Sequence, residues 1–463
     1  MPQFWSSCGS LRERISYETS AGVNPIAVPY LFAALMALEY GYNLLRGGRF
    51  QSPRDSATSL MVAIPHFAML SVLPVAWLVL YRIVEHAMPW QLPSAWWIWP
   101  LGIVVMDLAS YWMHRYHHAL NLTWGIHSVH HSSDEFTVAG GGRSSVAEPL
   151  VNVISGAYLI LVAPALVGMP VAAACVGWLV KDCWGFAVHT RNVDKLGPLE
   201  WILATPSHHR VHHAINPIYA NRNYGFVMIV WDKLFGTFQP ELADVPPVFG
   251  VDRPPMSFHP IAVAFHELRL VWRDAVATRR WRDKLRIWFM PAGWRPADVP
   301  SQPRQLARHH PPAPRALYVV GGLQLAYLVT ANFHLSSTAA AHGVGDNLAY
   351  LGFLVVATAV AGDYFERRAR YPVIETLRAL GVTVMVTATG RWFGRPLDGI
   401  SAALVALAGA NLGAAWVHAA RLRGGFARAP GRRVAAWHLR MSKPARRFAA
   451  ACKRVGWARK APG

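Results

Sequence analysis

The chain has 463 residues, is 53% hydrophobic and only 15% charged, and carries 20 tryptophans with a formal net charge of +20. Long apolar runs and abundant Trp suggest a polytopic membrane protein, and they make the basic excess read as its cytoplasmic loops, not as a nucleic-acid surface. The four cysteines (Cys8, Cys175, Cys183, Cys452) are scattered without a CxxC pair, which argues against both a disulfide framework and a thiolate metal site.

Residues 1–25 are polar and are expected to lie outside the bilayer. About 20 apolar residues are needed to cross it. Ile26–Leu45 and Thr58–Leu80 meet that length, and the first is long enough to be a retained helix and not a cleaved signal. His66, inside the second run, is expected to be a hydrogen-bonded core residue. Ala95–Met113 is a third helix that runs into a histidine-rich stretch. Ala147–Val188 fits two helices that go in and come back, with Gly168–Pro170 as the turn; Lys181, Asp182 and His189 interrupt its second half. Residues 250–300 mix Trp, Leu and Phe with Arg at helical spacing, as in a helix lying in the membrane interface and drawn to anionic lipid. Pro300–Arg315 reads as a linker. Ala316–Phe333, Asn347–Ala361, Val373–Thr389 and Ile400–Ala420 are four more apolar runs, and 421–463 is a basic tail. The expected fold is an all-α polytopic membrane helical bundle. Its parts are a segment 1–25, a catalytic domain 26–300, a linker 301–315, C-terminal helices 316–420 and the tail. The positive-inside rule puts the histidine region and the C-terminus in the cytoplasm. The loop around His342 then lies outside, where the two arginines of residues 390–396 are out of place.

Eight histidines fall into three boxes. Box one is HxxxH (His114, His118). Box two is HxxHH (His127, His130, His131), and box three repeats that spacing (His209, His212, His213). Residues i and i+4 share a helix face, so each box can aim imidazoles at one point. Neutral imidazole suits iron, zinc, copper and nickel. Eight such ligands are too many for one zinc, which takes four, and they suit two metal ions without naming them. Asp107, Tyr111, His114 and His118 follow a 4-3-4 spacing on one stripe. Asp107 could therefore orient an imidazole from behind, or pair with Arg115. Arg143, in the GGGRSS turn after box two, is a candidate for an anionic headgroup or cofactor, or a solvated loop residue.

DxxxYWxHRxxH from Asp107, WxxHxxHHSS from Trp124 and LGPLEWIxxTPSHHRVHH from Leu196 resemble the fatty acid hydroxylase/sterol desaturase superfamily. VPYLFAALMALEY and WRDKLRIWFMPAGWRP resemble its alkylglycerol monooxygenase-like bacterial branch. The resemblance is dense from about residue 26 to 240. It implies a His-coordinated non-haem diiron monooxygenase of the bacterial inner membrane, with two iron ions and dioxygen acting on a lipid C–H bond. It also implies His189 as a ninth ligand. Hydroxylating the carbon beside an ether oxygen gives a hemiacetal, which collapses to an aldehyde and an alcohol. The chain has no dinucleotide or haem-domain pattern, so electrons would come from tetrahydrobiopterin or from a separate electron donor. In that branch the residue after the second histidine of box one is typically Glu. Here it is Ala119, and Asp134 and Glu135 are the nearest acids that could hold a cofactor instead. The expected partners are a lipid substrate, the membrane and the electron donor, with no nucleic acid. Alternatives are a hydroxylase or desaturase of a fatty acyl, sterol or carotenoid-like lipid and, from another class, a metal-binding membrane transporter or sensor. A transporter should carry its ligands near the bilayer midplane, whereas these boxes sit at helix ends.

Overall fold

A computed structural model describes residues 27–47, 52–72, 76–300, 309 and 315–426. The polar segment 1–25, the linker 301–315 apart from His309 and Arg315, and the tail beyond 426 lie outside the described residues. The described chain is helical. In order come α1 (Ala27–Leu45), α2 (Pro53–Val72), α3 (Ala76–Ala87), α4 (Ile98–His117), α5 (Asn121–His131), α6 (Val138–Gly141), α7 (Glu148–Ile154), α8 (Ala157–Leu166), α9 (Val171–Ala187) and α10 (Pro206–His212). After these come α11 (Val230–Leu234), α12 (Pro260–Ala264), α13 (His266–Ala277), α14 (Trp281–Arg286), α15 (Arg315–Thr338), α16 (Val344–Phe365), α17 (Tyr371–Thr389) and α18 (Gly399–Phe426). The only named strands among the described residues are β1 (Arg391–Trp392) and β2 (Arg395–Pro396), an antiparallel pair. Among the described residues, Trp416–Phe426 at the end of α18 fall in a separate unit from the rest of the chain.

Among the described residues three helices, α16, α17 and α18 (its Gly399–Val417 part), are long and apolar enough to cross a membrane; α7 and α8 would add a fourth span if counted together. The expected second span, Thr58–Leu80, takes in the end of α2 and the start of α3, with residues 73–75 between them outside the described residues. The expected hairpin turns where the sequence places it, at Gly168 (φ 76°), but its first half is broken: α7 and α8 meet at 69°. Gly156 makes that corner in the left-handed region (φ 76°).

α4 and α9 pack along each other and position the site. A Cβ on Gly102 would sit 2.6 Å from the Ala173 carbonyl oxygen, so glycine there lets the two backbones touch. Leu161, Ala165 and Tyr158 of α8 join Met106 and Ala109 of α4 and Tyr81 of α3 in one buried cluster. A second cluster joins α2 to the C-terminal helices, through Met61, Ile64 and Ala68 against Tyr327, Leu328, Leu354 and Ala361. Polar contacts reinforce that junction: Arg54 donates to the Phe365 carbonyl, and Glu366 accepts from Ser257 Oγ (3.0 Å) and Phe258 N (2.6 Å).

The arginines of 390–396 are not alike. Arg395 is 1% exposed and donates to Thr338 Oγ1 (2.6 Å), Asn347 Oδ1 (2.5 Å) and the Phe393 carbonyl (2.9 Å), so it is an internal strut of the hairpin and not a loop charge. In the 250–300 region, α13 buries Leu270, Val271 and Ala275 and exposes Arg269, Trp272, Arg273 and Val276, with Trp281, Leu285 and Phe289 exposed just beyond. That alternation of Trp and Arg suits a headgroup layer.

Candidate metal centre

Four elements deliver the histidines. α4 ends on box one, with His118 as its C-cap residue; α5 carries box two, α10 carries box three, and His189 follows α9. α10 starts on a capping box in which Thr205 and His208 satisfy each other's backbone N–H, so His208, adjacent to box three, is spent on the cap. His117, adjacent to box one, is likewise engaged elsewhere: its Nε2 meets Asn152 Oδ1 at 2.9 Å.

The nine expected histidines come together, and they divide into two groups. His114, His118, His127, His131 and His212 form one; His130, His189, His209 and His213 form the other. Within each group the ligand nitrogens lie within 4.8 Å of one another. In the first, Nε2 atoms face each other at 3.0 Å (His114–His127), 3.3 Å (His127–His131) and 3.2 Å (His131–His212). In the second, His189 Nε2 lies 3.2, 2.9 and 3.2 Å from those of His130, His209 and His213.

These are not ordinary hydrogen bonds. His114 Nδ1–H donates to the Tyr224 carbonyl (2.8 Å), His212 Nδ1–H to the Arg222 carbonyl (2.9 Å) and His189 Nδ1–H to the Gly185 carbonyl (2.5 Å). A carbonyl can only accept, so in each neutral ring the proton sits on Nδ1 and Nε2 presents a lone pair inward. Burial keeps these rings neutral, pushing His189 and His212 down to about 4. One lone pair at His189 cannot serve three nitrogens about it, but a cation at their centre can. Metal–nitrogen bonds of about 2.0–2.1 Å put neighbouring ligand nitrogens about 2.8–3.4 Å apart, and the observed spacings fall in that range. His118 Nε2 is buried with no protein partner, as expected of an atom kept for an ion. The residues therefore fit two metal ions.

Aromatic rings wall the centre. Trp124 packs on His118 (ring centroids 4.9 Å), Phe226 on His114 (4.8 Å), Tyr224 on His118 (5.2 Å) and Phe136 on His189 (5.5 Å).

Asp107 does not touch an imidazole, nor does it pair with Arg115. Its carboxylate accepts from Val227 N, Met228 N and Trp231 Nε1, each at 2.9 Å. It anchors the segment whose Tyr224 carbonyl orients His114, so its action is one bond further removed than the helix stripe suggests. Asp232 does the same from the other side, accepting from Tyr224 N (2.7 Å) and Gly225 N (2.8 Å). Arg143 is neither a solvated loop residue nor free for a headgroup: it is 2% exposed and bound to Asp55 Oδ1 (3.0 Å) and Ser59 Oγ (3.2 Å). His66 is the expected core histidine, with Nδ1 3.1 Å from the Ser145 carbonyl. Ala119 is exposed, whereas Glu135 lines a small cavity beside His130, His189 and His213. Sequence reasoning missed Glu39. It is buried on α1 and accepts from Val138 N and Thr190 Oγ1, both at 2.8 Å, tying α1 to the residue after His189. A lone acid within an apolar run was the signal that could have found it.

Residues 99–237 match the fatty acid hydroxylase family. The chain is 29% identical over 370 residues to the alkylglycerol monooxygenase of Homo sapiens, covering 76% of this chain and 80% of that one. It is 30% identical over 308 residues to the alkylglycerol monooxygenase of Xenopus tropicalis, covering 65% of this chain and 66% of the relative, just under two thirds of its length. Over 155 residues, 33% of this chain and 45% of the relative, it is 33% identical to the ornithine lipid hydroxylase OlsE of Rhizobium tropici. No solved structure matches the chain.

Proposed function

We propose that the chain belongs to the fatty acid hydroxylase family and is an integral-membrane, non-haem diiron oxygenase that hydroxylates a lipid C–H bond, with ether lipids of the alkylglycerol type as its first candidate substrates. The observation that carries this reading is the pair of histidine groups whose Nδ1–H bonds to backbone carbonyls turn the Nε2 lone pairs inward. His114, His118, His127, His131 and His212 would hold one ion, and His130, His189, His209 and His213 the other. When bound, such ions supply the activation of dioxygen that no side chain can supply.

The protein's own part is orientation and dryness. The carbonyls of Tyr224, Arg222 and Gly185 fix ring angles, and Asp107 and Asp232 fix the segment that presents Tyr224. Trp124, Phe226 and Phe136 keep bulk water from the imidazoles. The exposed apolar residues Leu150, Val153, Ile154 and Leu159 on α7 and α8 give the bent pair a face for acyl or alkyl chains. Hydroxylation of the carbon beside an ether oxygen consumes one dioxygen, two electrons and two protons, releases water and leaves a hemiacetal that falls apart to an aldehyde and an alcohol. The electrons come from tetrahydrobiopterin or from a separate donor protein. A cytoplasmic centre in a bacterial inner membrane gives that donor access and agrees with the distribution of basic loops.

The test supplies an alkylglycerol and tetrahydrobiopterin to purified, iron-loaded protein and measures fatty aldehyde. Aldehyde formation that depends on dioxygen is expected. Ala119, in the position where the alkylglycerol branch typically has Glu, favours a second reading: hydroxylation of another membrane lipid with another donor. Iron-loaded protein that makes no aldehyde but hydroxylates an acyl lipid would select it. Iron-loaded protein that oxidises neither would overturn both.

A further inference from the structure

The two histidine groups are not equivalent. The group of five is closed by Trp124, Tyr224 and Phe226. The group of four instead borders a cavity of about 10 Å³, lined by His130, His189 and His213 on one side and by Glu135, Thr137, Gly140 and Phe249 on the other. A space of that size holds about one water molecule. A second and wider cavity, about 80 Å³, lies beyond it, with Asp55, Asp134 and Arg143 on its polar side. Phe249 lines both cavities and is the wall they share. Its ring stacks on Phe136 (5.0 Å), which in turn stacks on His189 (5.5 Å).

We propose that the four-histidine group carries the open position of the centre, and that a small exogenous ligand the size of dioxygen or azide reaches it past Phe249 and seats between Gly140 and the imidazoles. This rests on the dimetal reading above and adds which group is open and from where. Counting ligands points the same way: five nitrogens leave less room about an ion than four. The outer cavity is lined by Asp55, Asp134 and Arg143 together with apolar residues such as Ile215, Val248 and Phe258, and none of its lining lies on the α7 and α8 face offered to lipid.

Two neighbouring glycines make the idea testable. A Cβ on Gly141 would lie 2.9 Å from His189 Nδ1 and displace a ligand ring. A Cβ on Gly140 would meet only the Glu135 carbonyl (3.8 Å) and Thr137 Oγ1 (3.9 Å), ordinary contacts, and both of those residues line the cavity. Gly140→Ala thus adds a methyl to a space for one water without moving a histidine. The probe is azide, titrated into iron-loaded, oxidised protein and followed by the absorption band that azide gives on binding ferric iron, with iron content measured in parallel. Gly140→Ala should keep its iron and bind azide about five- to 150-fold more weakly, the range that overpacking a filled site typically costs. Phe249→Leu, which thins the shared wall, should keep its iron and bind azide faster. Iron-loaded variants that both bind azide like the wild type would overturn the assignment while leaving the dimetal centre standing. Wild-type protein that holds no iron would overturn the centre itself.

Discussion

Asp107→Asn removes one charge and changes one atom, yet it should loosen both the fold and the metal centre. The carboxylate accepts three N–H groups at 2.9 Å, from Val227, Met228 and Trp231, with no solvent access. An amide keeps one oxygen and turns an NH₂ toward at least one of those donors. Hydrogen bonds to a charged group contribute about 1.5–3 kcal/mol each, and a buried donor left unpaired costs about 1–3 kcal/mol. Losing one such bond gives an expected destabilisation of about 2–4 kcal/mol. The freed segment carries the Tyr224 carbonyl, which holds His114 Nδ1 at 2.8 Å. Loss of such outer partners typically weakens metal affinity about 10–100-fold. The assay is unfolding of detergent-purified protein, combined with the rate at which a chelator strips its iron. Trp231→Phe removes a single donor to the carboxylate and should cost about 1.5–3 kcal/mol. An Asn variant that unfolds like the wild type and surrenders iron no faster would refute the chain of reasoning from Asp107 to His114.

Arg143→Met leaves the buried Asp55 carboxylate without its cation and should destabilise the protein by about 3–5 kcal/mol in the same unfolding assay. The double variant with Asp55→Leu should recover part of that loss, and a single variant of wild-type stability would show that the pair is not a strut. Cysteine labels at Arg49 and His342 should be reachable from opposite sides of the membrane, the first from the cytoplasm; labelling from one side only would overturn the orientation.

The histidine cluster was legible because helical periodicity writes itself into histidine spacing. The division into two groups follows from the same geometry, but only once the helices are set in space. In HxxHH the outer pair is about 40° apart around the helix, and the middle residue faces elsewhere. Accordingly His127 and His131 join one group and His130 the other, while in box three His209 and His213 join the second group and His212 the first. The two boxes exchange partners because α5 and α10 face each other across the centre, which no single segment can reveal. Asp107 lay on the expected stripe, yet its partners are 120, 121 and 124 residues away, beyond any local pattern. Arg143 was misread because a glycine-rich turn looked exposed when Asp55 and Ser59 of α2 hold it inside. Arg395 shows the converse: its charge disturbed the loop count only until its burial was visible.

The central claim is that two ions sit in two distinct histidine groups. Metal analysis of iron-reconstituted protein tests it most directly, comparing the wild type with His114→Ala in the group of five and His189→Ala in the group of four. The account predicts about two irons per chain in the wild type and a clear loss in each variant, since each removes a ligand nitrogen from a different ion. Two irons retained in both variants, or a single iron in the wild type, would contradict it.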